Sequence, residues 1–274
     1  MPPFYQAPRL SEFQEELRVT RPYVLLEANL SEIRRGKIEV AVLPWGACEP
    51  HNLHLPYGND TLTVGKIGEM ICRRAAEAGA RVCLLPAVPY GVNTNLMGFP
   101  MTISMNPTTQ LALLRDVVES LKKHGVPKLV ILNGHGGNEF GFMLRELFDC
   151  GVFLTLVNWW TVASDVAENV MERGGEHADE AETSWALYLH PHLVAPPETA
   201  DDGAVRPYRF EALNRGWAKI ARPWDRLTTQ SGYGDPRRAT AEKGRQCIEV
   251  AVARLADFLV ELSAAEIDET FPMA

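Results

Sequence analysis

The sequence predicts an α/β fold in which a mostly parallel central sheet is flanked by helices. Three observations carry that reading. Short apolar, β-branched runs recur along the chain, amphipathic stretches at helical spacing separate them, and Gly or Pro marks the junctions.

Ile38 to Leu43 is the first buried strand, and Pro44 is expected to end it. A helix follows from Thr61 to Ala78, with Leu62, Ile67, Met70 and Ile71 on one stripe and Gly79 as its stop. Arg81 to Leu85 reads as the second strand. Asn106-Pro107 opens a helix over Thr108 to His124, whose Leu111, Leu114, Val118 and Leu121 keep helical spacing up to Gly125. Lys128 to Asn133 is the clearest strand, and a Gly-rich turn leads from it to a helix over Phe140 to Phe148. Val152 to Asn158 is the fourth strand. Helices are expected near Asp165 to Arg173 and from Asp179 to Leu189, and a last one over Ala241 to Ala264 carries Ile248, Val252, Leu255 and Leu259 on one face.

Residues 191–236 are rich in Pro, Gly and charge, and read as a long excursion of the kind that often carries function. With no internal repeat or clear boundary, the expectation is one domain over 1–274: a core over about 38–190, the excursion over 191–236 and the helix over 241–264.

The formal net charge of −8 argues against nucleic acid or an anionic membrane as partner, because phosphate binding needs clustered Lys and Arg. Five scattered cysteines without a CxxC pair point to a reducing compartment. Met1 to Leu10 lacks the apolar stretch of a secretion signal, and no run approaches the ~18 apolar residues of a membrane span. The cytoplasm is the expected location and a small molecule the expected partner.

In a parallel sheet, ligands bind beyond the carboxyl ends of the strands. After the first strand comes Trp45-Gly-Ala-Cys-Glu49-Pro-His51-Asn-Leu-His54-Leu-Pro-Tyr-Gly-Asn-Asp60; after the third comes Asn133-Gly-His135-Gly-Gly-Asn138. Glu49, His51, His54 and Asp60 supply hard oxygen and borderline nitrogen donors, the set suited to Zn, Mn or Fe. The Gly spacing around His135 fits neither GxGxxG nor a P-loop. A third block, Glu176-His177-Ala-Asp179-Glu180-Ala-Glu182-Thr-Ser184, crowds ionisable groups at a helix start. Taken alone it reads equally well as a charged first turn favoured by the helix dipole.

The run Gly46 to Asp60 resembles the creatininase (creatinine amidohydrolase) family, whose motif is approximately G-s-x-E-q-H-g-x-H-L-P-x-x-t-D. Gly98-Phe-Pro-Met-Thr-Ile-Ser104 resembles its F-P-G-T-I-S segment, Asn133 to Asn138 its N-G-H-G-G-N signature, and His177 to Ser184 its H-A-G-x-x-E-T-S block. The four segments occur in the family's order.

The resemblance implies a three-layer α/β/α sandwich, a homo-oligomer (often a hexamer) and two divalent metal ions, zinc first, with manganese or iron as alternatives. It implies that Glu49 and His51 each hold one metal, that Asp60 bridges both, and that His135 joins Glu49. Creatininase itself carries an acidic ligand two positions after this His, where this chain has Gly137. Glu182 is the expected replacement, with Glu139 as the other candidate. His177 is the expected catalytic acid-base residue, with Glu176 orienting it or sharing in proton transfer.

Two metals activate a hydroxide nucleophile and polarise a carbonyl. The implied activity is therefore metal-dependent hydrolysis of a non-peptide C–N bond in a cyclic amide or formamide-type molecule. A peptidase of peptide-cofactor maturation and a non-hydrolytic, metal-dependent isomerase are the alternatives. Tyr90 to Asn95 and Met101, where Gly is usual, depart from the family's pattern and point away from creatinine itself. Trp159 and Trp160 are candidates to stack on a flat ring.

Overall fold

A computed structural model describes residues 21–273. The expectation that Met1 to Leu10 holds no secretion signal falls outside them. The strands are β1 (Val40–Trp45), β2 (Val82–Leu84), β3 (Lys128–Asn133) and β4 (Phe153–Asn158), all parallel in the order β2-β1-β3-β4. The helices are α1 (Leu30–Arg35), α2 (Asn59–Glu77), α3 (Pro107–Lys123), α4 (Gly141–Glu146), α5 (Ser164–Val170), α6 (Glu180–Leu189), the short α7 (Glu211–Asn214) and α8 (Trp224–Leu227), and α9 (Ala241–Ala264).

Strand alternation builds three layers. Val40, Val42, Val130 and Leu132 point to one face and pack with Ile67 and Ile71 of α2 and Ile248, Leu255 and Leu259 of α9. Ala41, Leu43, Trp45, Leu129 and Ile131 point to the other, against Leu114 and Val118 of α3 and Met143 of α4. Both faces of β1 and β3 are dry, which is why their sequences are apolar throughout.

Two boundaries differ from expectation, each for a physical reason. β1 does not stop before Pro44 but runs through it to Trp45. The main chain at positions 42 and 44 faces β2, since the Val42 carbonyl accepts from Leu85 N–H and that of Pro44 from Val88 N–H. Because β2 ends at Leu84, the N–H that proline lacks would have met no ladder partner. The helix expected from Thr61 begins at Asn59, so Asp60 is a first-turn helix residue and not part of the preceding loop. Gly46 permits this close approach, because a Cβ there would lie 2.5 Å from the Cα of Thr61.

The excursion 191–236 does contain structure: three-residue helical turns together with α7 and α8. Asn29 and Glu32 form a reciprocal capping box on α1, a helix the apolar pattern does not announce.

β1 connects to β2 on one side and lies beside β3 on the other, so the strand order reverses there and a crevice opens past their carboxyl ends. Trp45 pairs with Asn133, which brings the two motif-bearing loops out at the same level.

Candidate metal centre

Into that crevice the chain places Glu49 and His51 from the loop after β1, Asp60 from α2, His135 from the turn after β3, and His177 and Glu182 from around the start of α6. Asp60 lies between two imidazoles, with Oδ1 at 2.9 Å from His51 Nε2 and Oδ2 at 3.0 Å from His135 Nδ1. Glu49 Oε1 is 3.1 Å from His135 Nδ1 and 3.6 Å from His177 Nδ1. Glu182 Oε2 is 3.8 Å from His51 Nε2. Three tight triads result: Glu49-Asp60-His135 and His51-Asp60-Glu182, which share Asp60, and Glu49-His51-His177.

Each imidazole has one nitrogen occupied by a main-chain carbonyl. His51 Nδ1 lies 3.1 Å from the Glu49 carbonyl, His135 Nε2 3.2 Å from that of Val92, and His177 Nε2 2.9 Å from that of Pro50. A carbonyl only accepts, so these nitrogens carry the protons. The opposite nitrogens, His51 Nε2, His135 Nδ1 and His177 Nδ1, are left to face the carboxylates. That is the tautomer a metal ligand or a proton acceptor needs. The Pro50 carbonyl is itself held by the Ser231 hydroxyl, which donates at 2.9 Å.

The charge balance calls for a cation. Burial works against a proton on His51, yet Asp60, Glu182 and Glu49 raise its pKa to about 10. His135 is likewise driven well above its ordinary value, burial being outweighed first by Glu49 and then by Asp60. Burial pushes the Glu182 carboxyl up to about 7, and it lowers His177 with help from the neighbouring His51 ring. Glu49 Oε2 is buried with no hydrogen-bond partner. Three carboxylates and three imidazoles so packed are a donor set that fits divalent metal ions.

Gly137 stands where creatininase has its acidic ligand, and no side chain fits there. A Cβ would lie 2.3 Å from His135 Nε2 and 2.4 Å from the Val92 carbonyl. Glu182, the expected replacement, lies beside His51, with Oε2 at 3.8 Å from Nε2. Its carboxylate accepts from Ala178 N–H at 2.6 Å, and Ala178 adopts the left-handed conformation (φ 50°) that turns His177 and Glu182 toward the same point. Glu139 is exposed and lines a different cavity.

Two other residues stand apart from the cluster. His54 is buried but bonded to the Thr183 hydroxyl at 2.7 Å, tying the loop to α6. Glu176, expected to orient His177, is turned away from the ring: its carboxylate pairs with Arg222 at 2.5 Å, and the Pro50 carbonyl does the orienting.

Glu182 is the open edge of the cluster, its side chain 22% exposed where that of Glu49 is 1% exposed. It faces a cleft of about 520 Å³ walled by Trp159, Trp160 and Trp185. Trp159 packs edge-on against Trp185, ring centres 4.6 Å apart, and is largely core.

Several contributors carried no signal in the sequence. Carbonyls of Glu49, Pro50 and Val92 act through position and not through residue type. Ser231 and Arg222 come from the excursion, far along the chain and outside any motif.

A family model for creatinine amidohydrolase (creatininase) matches residues 27–259. A creatinine amidohydrolase of Pseudomonas putida is 28% identical over 244 residues, spanning 81% of this chain and 89% of its own. A 3-dehydro-scyllo-inosose hydrolase of Thermotoga maritima is 27% identical over 263 residues, 87% of this chain and 81% of its own. The crystal structure of a candidate creatinine amidohydrolase from Bacteroides fragilis matches with a TM-score of 0.83 at 37% identity, covering 90% of this chain and 99% of that one.

Proposed function

Because the chain belongs to the creatininase family of metal-dependent hydrolases, we propose that it hydrolyses a non-peptide C–N bond in a small cyclic amide or formamide-type compound. Glu49, Asp60 and His135 hold one divalent ion in this reading, and His51, Asp60 and Glu182 the other. The observation that carries it is the placement of Asp60 between His51 Nε2 and His135 Nδ1, the two ring nitrogens that the main-chain carbonyls leave free for a ligand role.

Divalent ions held by these residues would supply a water of near-neutral pKa and a Lewis acid for a carbonyl group. The protein's own contribution is orientation and proton handling. Asp60 and Glu49 fix the spacing of the donor set, and burial keeps bulk water from competing for it. His177 holds a bare Nδ1 at 3.6 Å from Glu49, and its pKa, lowered by burial, keeps it neutral at pH 7. It can take a proton at Nδ1 from the attacking water and pass it to the departing nitrogen, while its Nε2–H stays fixed on Pro50. Trp160 and Trp185 offer flat apolar walls to a ring.

The Thermotoga relative is named for an inosose, not an amide, so the bond cleaved is tested directly. Purified protein loaded with Mn or Zn is assayed on lactams, formamides and short peptides, with metal content measured on the same sample. Turnover of lactams or formamides, lost in Asp60→Asn together with the metal, is the expected result. Binding of no metal, or turnover of peptides alone, sinks the reading.

A further inference from the structure

Among the described residues, Arg222 is the one cationic side chain lining the cleft beside Asp60 and Glu182, which otherwise carries five carboxylates from Asp60, Glu168, Glu176, Asp179 and Glu182. It is held on two sides. Its guanidinium lies 4.5 Å from the centre of the Trp224 ring, and Nη1 meets Glu176 Oε2 at 2.5 Å. Trp224 is itself pinned, its indole N–H donating to the Ser231 carbonyl at 2.6 Å, and its ring stands edge-on to His177 with centres 5.7 Å apart. One continuous stack therefore runs from His177 through Trp224 to Arg222.

Behind Arg222 lies a second cavity of about 550 Å³, formed between the excursion and the residues around Glu139 and Glu176. Arg222 and Glu176 line both spaces, so their ion pair is the partition between them. The outer cavity adds Arg206 and Lys219, and among the described residues neither has a carboxylate within ion-pair distance. With Arg222 they give three cations to the two anions Glu139 and Glu176. In a chain of net charge −8 this local positive excess is out of keeping with the whole. A planar, stacked guanidinium beside unpaired cations is a receptor for a carboxylate.

We propose that Arg222 determines specificity by receiving a carboxylate carried by the substrate at the end remote from the hydrolysed bond, with Glu176 holding its place when no substrate is bound. Arg206 and Lys219 lie behind it to favour the anion over a neutral group. The substrate class narrows to an amide or formamide that also bears a free acid, as in an N-acyl or N-formyl amino acid. This rests on the proposed hydrolase function for the identity of the reacting end, but the recognition of the acid does not involve the residues of the metal centre.

The test uses the full-length, metal-loaded protein and matched probes, N-formyl and N-acetyl amino acids against their carboxamides, with dissociation constants read by calorimetry. At least one acid is expected to bind tenfold or more tightly than its amide. In Arg222→Met that preference falls to near unity, with metal content and melting temperature unchanged. Arg222→Lys retains part of it. Glu176→Gln, which removes the competing anion, binds the acid several-fold more tightly than the parent. Absence of any acid preference in the parent overturns the proposal, as does a preference that survives in Arg222→Met or a weaker acid in Glu176→Gln. If the protein binds no metal yet prefers the acid through Arg222, the hydrolase reading fails and this one stands.

Discussion

The imidazole of His135 fills the space beside Gly137: a Cβ on that glycine would come within 2.3 Å of His135 Nε2. The histidine and the bare backbone two residues later are one unit, and the acidic ligand of creatininase has no room in this chain. Gly137→Ala is expected to displace the ring from the Val92 carbonyl and weaken metal binding about 10–100-fold, the usual effect of disturbing a residue that orients a ligand. Titration with Zn or Mn and a fluorescent chelator measures it. Affinity within twofold of the parent counts against the coupling.

Glu182 and Glu139 are the two candidates for the ligand missing at position 137, and they lie apart: Glu182 is 3.8 Å from His51 Nε2, whereas Glu139 is exposed and lines the outer cavity. Glu182→Gln is expected to retain one ion per chain instead of two, whereas Glu139→Gln retains both. Elemental analysis of the dialysed proteins decides between them.

His177 faces Glu49 through Nδ1 at 3.6 Å, and its proposed role is proton transfer and not ligation. His177→Gln is expected to keep its metal while kcat falls about 10²–10⁴-fold, the range for loss of a positioned acid-base group. Parallel loss of metal would make it a ligand instead.

Metal removal should cost more stability at pH 7.5 than at pH 5.5. In the metal-free chain the Glu182 carboxyl titrates at about 7, above its ordinary 4.5, so the folded state holds a proton that the unfolded chain has released between those values. Stability of the metal-free protein therefore falls as pH rises through that window. His51 adds to the trend: raised from 6.5 to about 10, its contribution is full below 6.5 and is lost as pH rises toward 10. Ligation removes both protons, so the difference in melting temperature between loaded and stripped protein should widen with pH. A constant difference across this range would contradict it.

Met101 occupies a left-handed backbone position, φ 57°, with its side chain 77% exposed. The family's usual glycine would sit there without strain. The left-handed conformation costs an L-residue about 1–2 kcal/mol, and glycine gives back roughly 0.5–1 kcal/mol in chain entropy. Met101→Gly is thus expected to stabilise the protein by up to about 1 kcal/mol in urea unfolding. Destabilisation would mean that the Met101 side chain packs against something.

The four strands and α2, α3, α6 and α9 were legible because burial on both sheet faces writes itself as apolar β-branched runs and regular helical stripes. Glu49, His51, Asp60, His135, Glu182 and His177 were legible as residue types crowded at strand ends and a helix start, and the structure brings all six together. The ion pair of Glu176 with Arg222 was not legible, for a simple reason. Neighbours in sequence diverge when one turns inward, and only the fold places Arg222, 46 residues later, beside it. Pro44 misled similarly, because whether a proline ends a strand depends on which neighbour its missing N–H would have met.

The three histidines are set by main-chain carbonyls of Glu49, Pro50 and Val92. A carbonyl is the same whatever residue bears it, so substitution at Val92 leaves the proton on His135 Nε2 where it is, whereas Glu49 is also needed for its carboxylate, which faces His135 and His177. What the proton arrangement cannot survive is a change in chain length: one residue inserted or deleted near 92 would move its carbonyl away from His135. The centre should thus tolerate drift in composition while being brittle toward insertions and deletions, and a library that varies the loop from 90 to 95 by letter, never by length, is the one to search for new activities.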